Sequence, residues 1–140
     1  MCAERAWSHF RHRADIGVCG KGATLEQAFA NAATAMTAVI TAPQQVRPAQ
    51  PVSLHCAAPD HELLLVDFLN AIVYEMATRH MLFSRFDITI RDGRLDATVW
   101  GEPIDVQRHQ PAVEVKGASY TALQVSQESG HWTARCVVDV

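Results

Sequence analysis

The sequence has little charge, no long apolar run and no basic excess, and each shortage excludes something. Charged residues make up 19% of the 140 positions against 49% hydrophobic, the reverse of a disordered composition, so most of the chain is expected to be ordered. No segment carries about eighteen consecutive apolar residues, which removes a membrane-spanning helix. The formal net charge is −3, so no global basic field exists to grip a phosphate backbone, although a local patch remains open. The start of the chain, Met1-Cys2-Ala3-Glu4-Arg5-Ala6-Trp7, is charged early and has no apolar core of the kind a secretory signal needs. A cytoplasmic protein is the expectation. The four cysteines, Cys2, Cys19, Cys56 and Cys136, show no CxxC spacing; without a secretion signal they read as reduced thiols, three of them at core positions. Zinc finds no ligand pattern: His9 and His12 would face opposite ways in a strand. Nor is there a GxSxG, Walker or GxGxxG pattern.

What remains suits one domain over residues 1–140, with one core. Thr24-Leu25-Glu26-Gln27 has the form of a capping box, and alanine-rich sequence follows to about Ile40, with Pro43 blocking continuation. Residues 41–51, with three prolines and three glutamines, read as a loop. A second helix starts near Asp60 and ends near Arg79 and His80, where cations suit the helix dipole. Its apolar residues, from Leu63 to Met76, cover far more than one stripe, which predicts burial on more than one side.

Elsewhere the period is two, the strand signature. Val52, Leu54 and Cys56 alternate with polar residues. Phe86, Ile88 and Ile90 lead into Asp92-Gly93 and return through Leu95, Ala97 and Val99, a hairpin with a type I′ turn. Val113 and Val115 mark a further strand, Leu123 and Val125 the next, and Ser129-Gly130 turns into Trp132, Ala134, Cys136 and Val138. The C-terminal half reads as a β-meander. The fold expected is α+β: mostly antiparallel sheet, with two apolar helices packed between or against sheet layers.

Four polar clusters could carry chemistry. In His12-Arg13-Ala14-Asp15-Ile16-Gly17, Asp15 falls at the start of a strand, where an Asp commonly serves a turn. Asp139-Val140 would bring a side-chain carboxylate beside the terminal one; with Asp15, if the strands meet, these make a hard-oxygen site for Ca²⁺ or Mg²⁺, and otherwise a solvated chain end. Glu102 with Asp105, Arg108 and His109 reads as an ordinary polar loop. Glu114 and Lys116 share the face opposite two valines, as an exposed ion pair would.

Taken in order, His12-x-Ala14-Asp15-Ile16-Gly17, Thr24-Leu25-Glu26-x-Ala28-Phe29, Leu65-Val66-Asp67-Phe68-Leu69-Asn70, Gly101-Glu102, Arg108-His109, Glu114-Val115-Lys116, Tyr120 and Asp139-Val140 resemble the archease family over essentially the whole chain. The resemblance implies an accessory activator of an RtcB-type RNA ligase, the kind of enzyme that uses GTP and Mn²⁺ to guanylylate its own histidine and rejoin tRNA halves. It implies that Asp15, Asp139 and Val140 hold a divalent cation, Ca²⁺ before Mg²⁺ or Mn²⁺. Lys116 would be the neighbouring cation for a phosphate or a partner carboxylate, with His12 beside it. Broken RNA would be met only indirectly, through the ligase, and no membrane is involved. The chain departs from the family pattern at Arg13, where Thr is usual, at Gly117, where Ala is usual, and in Ser119-Tyr120-Thr121. Two other classes stay in view: a small metal-dependent phosphatase or hydrolase on the same carboxylates, and an RNA-binding or chaperone-like module.

Overall fold

A computed structural model describes residues 5–140; residues 1–4, and with them Cys2 and most of the segment read above for a signal, lie outside the described residues. The described strands form two antiparallel sheets with two long helices between them. Strands β1 (Trp7–His12) and β2 (Asp15–Gly22) make an N-terminal hairpin. Helix α1 (Leu25–Ile40) follows, then a single 3-10 turn at Pro43–Gln45 and β3 (Gln50–Ala57). Helix α2 (His61–Arg79) leads to the hairpin β4 (Met81–Arg91) and β5 (Arg94–Pro103). A one-turn helix α3 (Val106–His109) and the short β6 (Gly117–Ala118) precede β7 (Gln124–Glu128) and β8 (His131–Asp139). One sheet runs β3-β5-β4; the other runs β1-β2-β8-β6, with β7 also paired to β8.

Both helices start where side-chain capping predicts. The Thr24 hydroxyl accepts from Gln27 N–H at 3.1 Å, while Gln27 Oε1 reaches back to Ala23 N–H at 2.9 Å. Asp60 accepts from Leu63 N–H at 2.8 Å, and α2 ends on His80 in the left-handed region at φ 54. Such caps satisfy amide groups that a helix end otherwise leaves without partners. Asp92 and Gly93 both have positive φ, 51 and 74, as a type I′ turn demands, and Ser129 and Gly130 repeat the device at 50 and 79. Pro51 lies in β3, which borders only β5, and a strand at a sheet edge tolerates the missing N–H.

The helices meet both sheets. α1 packs on β1, β2 and β8 from one side and on β4 from the other, and α2 contacts strands of both sheets. Phe29 and Phe68 stack between the helices with ring centroids 6.1 Å apart. The alanines of α1 let it lie almost on the strand backbone: a Cβ at Gly20 would stand 2.1 Å from Ala28 O and 2.2 Å from Ala32 N. Around the register shift between Phe83 and Arg85 of β4, the Thr37 hydroxyl donates to Phe83 O at 2.7 Å, tying α1 to the second sheet.

Four expectations are corrected. Val113 and Val115 are not in a strand: residues 110–116 cross from one sheet to the other, held by Ala112 N–H to Ile40 O and Lys116 N–H to Asp139 O, both 2.8 Å. Val115 is buried because it packs into the core, while Val113 stays partly exposed. The C-terminal half is no meander, since β4 and β5 join β3 whereas β6, β7 and β8 join the N-terminal hairpin. The segment after β5 is not an ordinary loop but holds α3, capped by Asp105. Cys19 is disulfide-bonded, against the expected thiol, whereas Cys56 and Cys136 are free.

Leu69 is wholly buried on α2. Leu69→Ala should lower unfolding free energy by about 2–5 kcal/mol, the cost of lost burial plus a cavity, and urea unfolding followed by circular dichroism would measure it.

Candidate functional site

The register of the larger sheet decides which polar residues meet. His12 stands opposite Asp15 where β1 turns into β2, with Arg13 in the turn at φ 53. Ile16 faces Val138, so one step further brings Asp15 level with Asp139. Asp139 also faces Gly117 across the other edge of β8, and its carbonyl accepts from Lys116 N–H at 2.8 Å. Directly opposed residues of antiparallel strands share a face. His12, Asp15 and Asp139 therefore form one row at one end of the sheet, with Lys116 anchored beside it. Within β8, Ala134, Cys136 and Val138 belong to the core, so Asp139 points to the opposite, outer face.

Asp15 is half-buried and Asp139 is exposed. Neither carboxylate has an ion pair or side-chain hydrogen bond among the described residues, and the same holds for the Lys116 ammonium. Two like charges opposed across a strand pair repel, and a hard cation between them would remove that repulsion. Among the described residues no three His, Cys, Asp or Glu side chains converge as a metal centre. A cation here would complete its shell with main-chain oxygens and water, which suits Ca²⁺ or Mg²⁺ and not zinc. His9 and His12 fall on opposite faces of β1; the His9 ring contacts Ala35 O at 2.7 Å.

The loop carrying Lys116 is held by two features whose role the sequence did not disclose. Asn70 on α2 acts as a strand neighbour for β6: its Oδ1 accepts from Ala118 N–H at 2.8 Å and its Nδ2 donates to Ala118 O at 3.3 Å. A Cβ at Gly117 would meet that Oδ1 at 3.1 Å, so the glycine at this position matches the close amide. An amide on an otherwise apolar helix was the signal available. The second feature is the cluster read as an ordinary loop. Arg108 grips Glu102 through both Nη atoms at 2.8 Å, Arg47 N–H donates to the same carboxylate at 2.8 Å, and His109 Nε2 lies 2.9 Å from it. His109 Nδ1 accepts from Asp105 N–H at 2.9 Å, which makes Nε2 the protonated nitrogen and the donor to Glu102. Glu102 and His109 are 7% and 3% exposed, so the cluster is a buried staple joining β5, α3 and the segment before β3.

Among the described residues the free cysteines are not activated as nucleophiles. Burial pushes the Cys136 thiol up to about 12, and burial with the nearby Asp67 charge raises Cys56. Glu114 and Lys116 form no ion pair among the described residues.

The profile of the Archease protein family (MTH1598/TM1083) matches residues 7–140. The chain belongs to the archease family. Protein archease of Pyrococcus furiosus is 33% identical over 141 residues, covering 97% of this chain and 99% of the relative. Protein archease of Aeropyrum pernix is 31% identical, covering 96% of each chain. The solution structure of Methanobacterium thermoautotrophicum protein 1598 superimposes with a TM-score of 0.84 at 31% identity, covering 96% of this chain and 99% of that one. A Thermotoga maritima crystal structure, described as an archease and possible chaperone, shares the fold with a TM-score of 0.61 at 15% identity over 94% of each chain. Among the described residues no helix is long and apolar enough to cross a membrane.

The Arg108 guanidinium, through its hydrogen bonds, holds the Glu102 carboxyl down to about 2. Because this value lies below that of the unfolded chain, the stabilisation is complete above the ordinary carboxylate range and is lost as pH falls from about 4.5 toward 2. Glu102→Gln should therefore destabilise by about 1–3 kcal/mol at pH 7. The gap from wild type should narrow below pH 4, as chemical unfolding at a series of pH values would record.

Proposed function

We propose that this protein is an accessory activator of an RtcB-type RNA ligase, promoting guanylylation of the ligase and its multiple turnover in tRNA splicing or RNA repair. Membership of the archease family supports the accessory role. The observation that carries the reading is the row His12, Asp15 and Asp139 at one sheet end with Lys116 anchored beside it. Carboxylates and a cation standing at strand ends can be presented to another protein's active site. The row has no nucleophile paired with a base of its own, which favours a protein cofactor over a self-sufficient enzyme.

In this reading Asp15, Asp139 and the main chain of Val140 would hold a divalent cation, Ca²⁺ first, with Mg²⁺ or Mn²⁺ as substitutes. The cation would contribute positive charge at a surface offered to the ligase. Lys116 adds a fixed charge for a phosphate or a partner carboxylate, and His12 flanks it as a hydrogen-bonding group. The Glu102–Arg108–His109 staple and Asn70 keep the Lys116 segment in register with β8, so that these groups arrive together. RNA is met through the ligase, in the cytoplasm.

A chaperone-like contact with partner proteins is a second reading, for which the exposed Tyr74, Val106 and Tyr120, 64%, 70% and 66% accessible, would be the apolar side chains available.

The deciding experiment is a ligation time course with limiting ligase, excess RNA bearing a 2′,3′-cyclic phosphate, GTP and Mn²⁺. Product should pass one equivalent per ligase when the protein is present. Asp15→Ala, Asp139→Ala and Lys116→Ala should each lose that gain while keeping the wild-type circular dichroism spectrum. No effect of the wild-type protein on its cognate ligase would end the activator reading. Full activation by all three variants would remove the site assignment alone.

A further inference from the structure

We propose that the outer face of the larger sheet carries an anion pocket, built on Arg135 and Lys21, that takes a phosphate group. Ala134 and Cys136 point into the core, so Arg135 lies on the same outer face as Asp139, four residues away along β8. At about 3.3 Å per residue the two are roughly 13 Å apart. The pocket is thus a second feature of that face, distinct from the carboxylate row, and it does not rest on the ligase reading.

Arg135 supplies the guanidinium fork that lines the hollow. Its Nε is buried and has no hydrogen-bond partner, an unusual state for a charged donor. The guanidinium carbon stands 5.8 Å from the centre of the Phe10 ring, which supports the fork on an apolar bed without supplying an acceptor. Lys21 faces Thr133, one diagonal step from Arg135 across the β2–β8 ladder. The Lys21 ammonium also has no side-chain partner among the described residues. Two cations at neighbouring positions repel each other unless an anion bridges them.

The surroundings match a phosphate. Lys21 and Arg135 line a hollow of about 360 Å³ with the hydroxyls of Ser126 and Thr133 and the amide of Gln124. The one carboxylate in that lining, Glu128, stands opposite His131 at the far end of the β7–β8 hairpin. Gln124 stands directly opposite Arg135, and the hydroxyls and this amide can each donate to an anion beside the two cations. A tetrahedral oxyanion in this hollow would accept from the outer guanidinium nitrogens, the ammonium and the hydroxyls. This is a local basic pocket on a chain whose net charge is −3.

Phosphate could arrive free, on a nucleotide or as part of an RNA strand, and one titration separates these sources. The Arg135 Nε–Hε resonance of the full chain would be followed by NMR against inorganic phosphate, GTP, short oligouridylates of increasing length and, as a contrast, a glutamate-rich peptide. The phosphate-bearing probes should shift this resonance, and Lys21→Gln should weaken their binding by roughly tenfold with the amide spectrum otherwise retained. Affinity that climbs with oligonucleotide length and falls with salt identifies an RNA backbone. Equal affinity for phosphate, GTP and oligouridylate identifies a single phosphate group. The inference is overturned if no phosphate-bearing probe moves the resonance, if Lys21→Gln and Ser126→Ala both bind as the wild type does, or if the glutamate-rich peptide binds most tightly.

Discussion

Hydrogen bonding along both edges of β8 is the constraint on which the rest of the molecule depends. One edge receives β2, and through it the N-terminal hairpin; the other receives β7 and β6 in turn. Without that strand the hairpin of β1 and β2 would be a two-stranded ribbon with an apolar face, marginal by itself. With it, the sheet becomes wide enough to cover α1 and α2 from one side while β3, β4 and β5 cover them from the other. The closeness of that layer depends on small residues. Gly20 and the alanines of α1 bring helix and strand backbones nearer than any larger side chain would permit.

The same pairing creates the chemistry of the outer face. Side chains alternate along a strand, so a register that buries Ala134, Cys136 and Val138 must present Arg135 and Asp139 together on the other side. The antiparallel partner then supplies Asp15 level with Asp139 and Lys21 diagonal to Arg135. Carboxylates gather at one end of the face and cations further along it, in a chain with a modest net charge. Core packing and surface function are therefore linked through a single register, and a slip of one residue would bury the charged row.

Residues 110–116 show how a segment without regular structure can still be positioned. Its ends are held by backbone hydrogen bonds to Ile40 and Asp139, its start by the buried Glu102–Arg108–His109 cluster, and the strand that follows it by Asn70. Burying a carboxylate and an imidazole is tolerated because every strong donor and acceptor in the cluster finds a partner.

Local features were legible in the sequence because their causes are local. The Thr24 and Asp60 caps, the Asp92-Gly93 and Ser129-Gly130 turns and the all-round apolar character of α2 each follow from residues a few positions apart, and so does the expectation of helices between sheet layers. Family resemblance added Asp15, Asp139 and Lys116 as a set. The tertiary structure alone decided that β8 pairs with β2, which divides the C-terminal strands between two sheets, and that Val115 is buried outside any strand. It also decided that Glu102 and His109 leave water and that Arg135 stands beside Lys21. These outcomes join residues separated by long stretches of chain. Periodicity can say which way a side chain points, but not which distant strand it will face, because that choice depends on the burial of both layers at once.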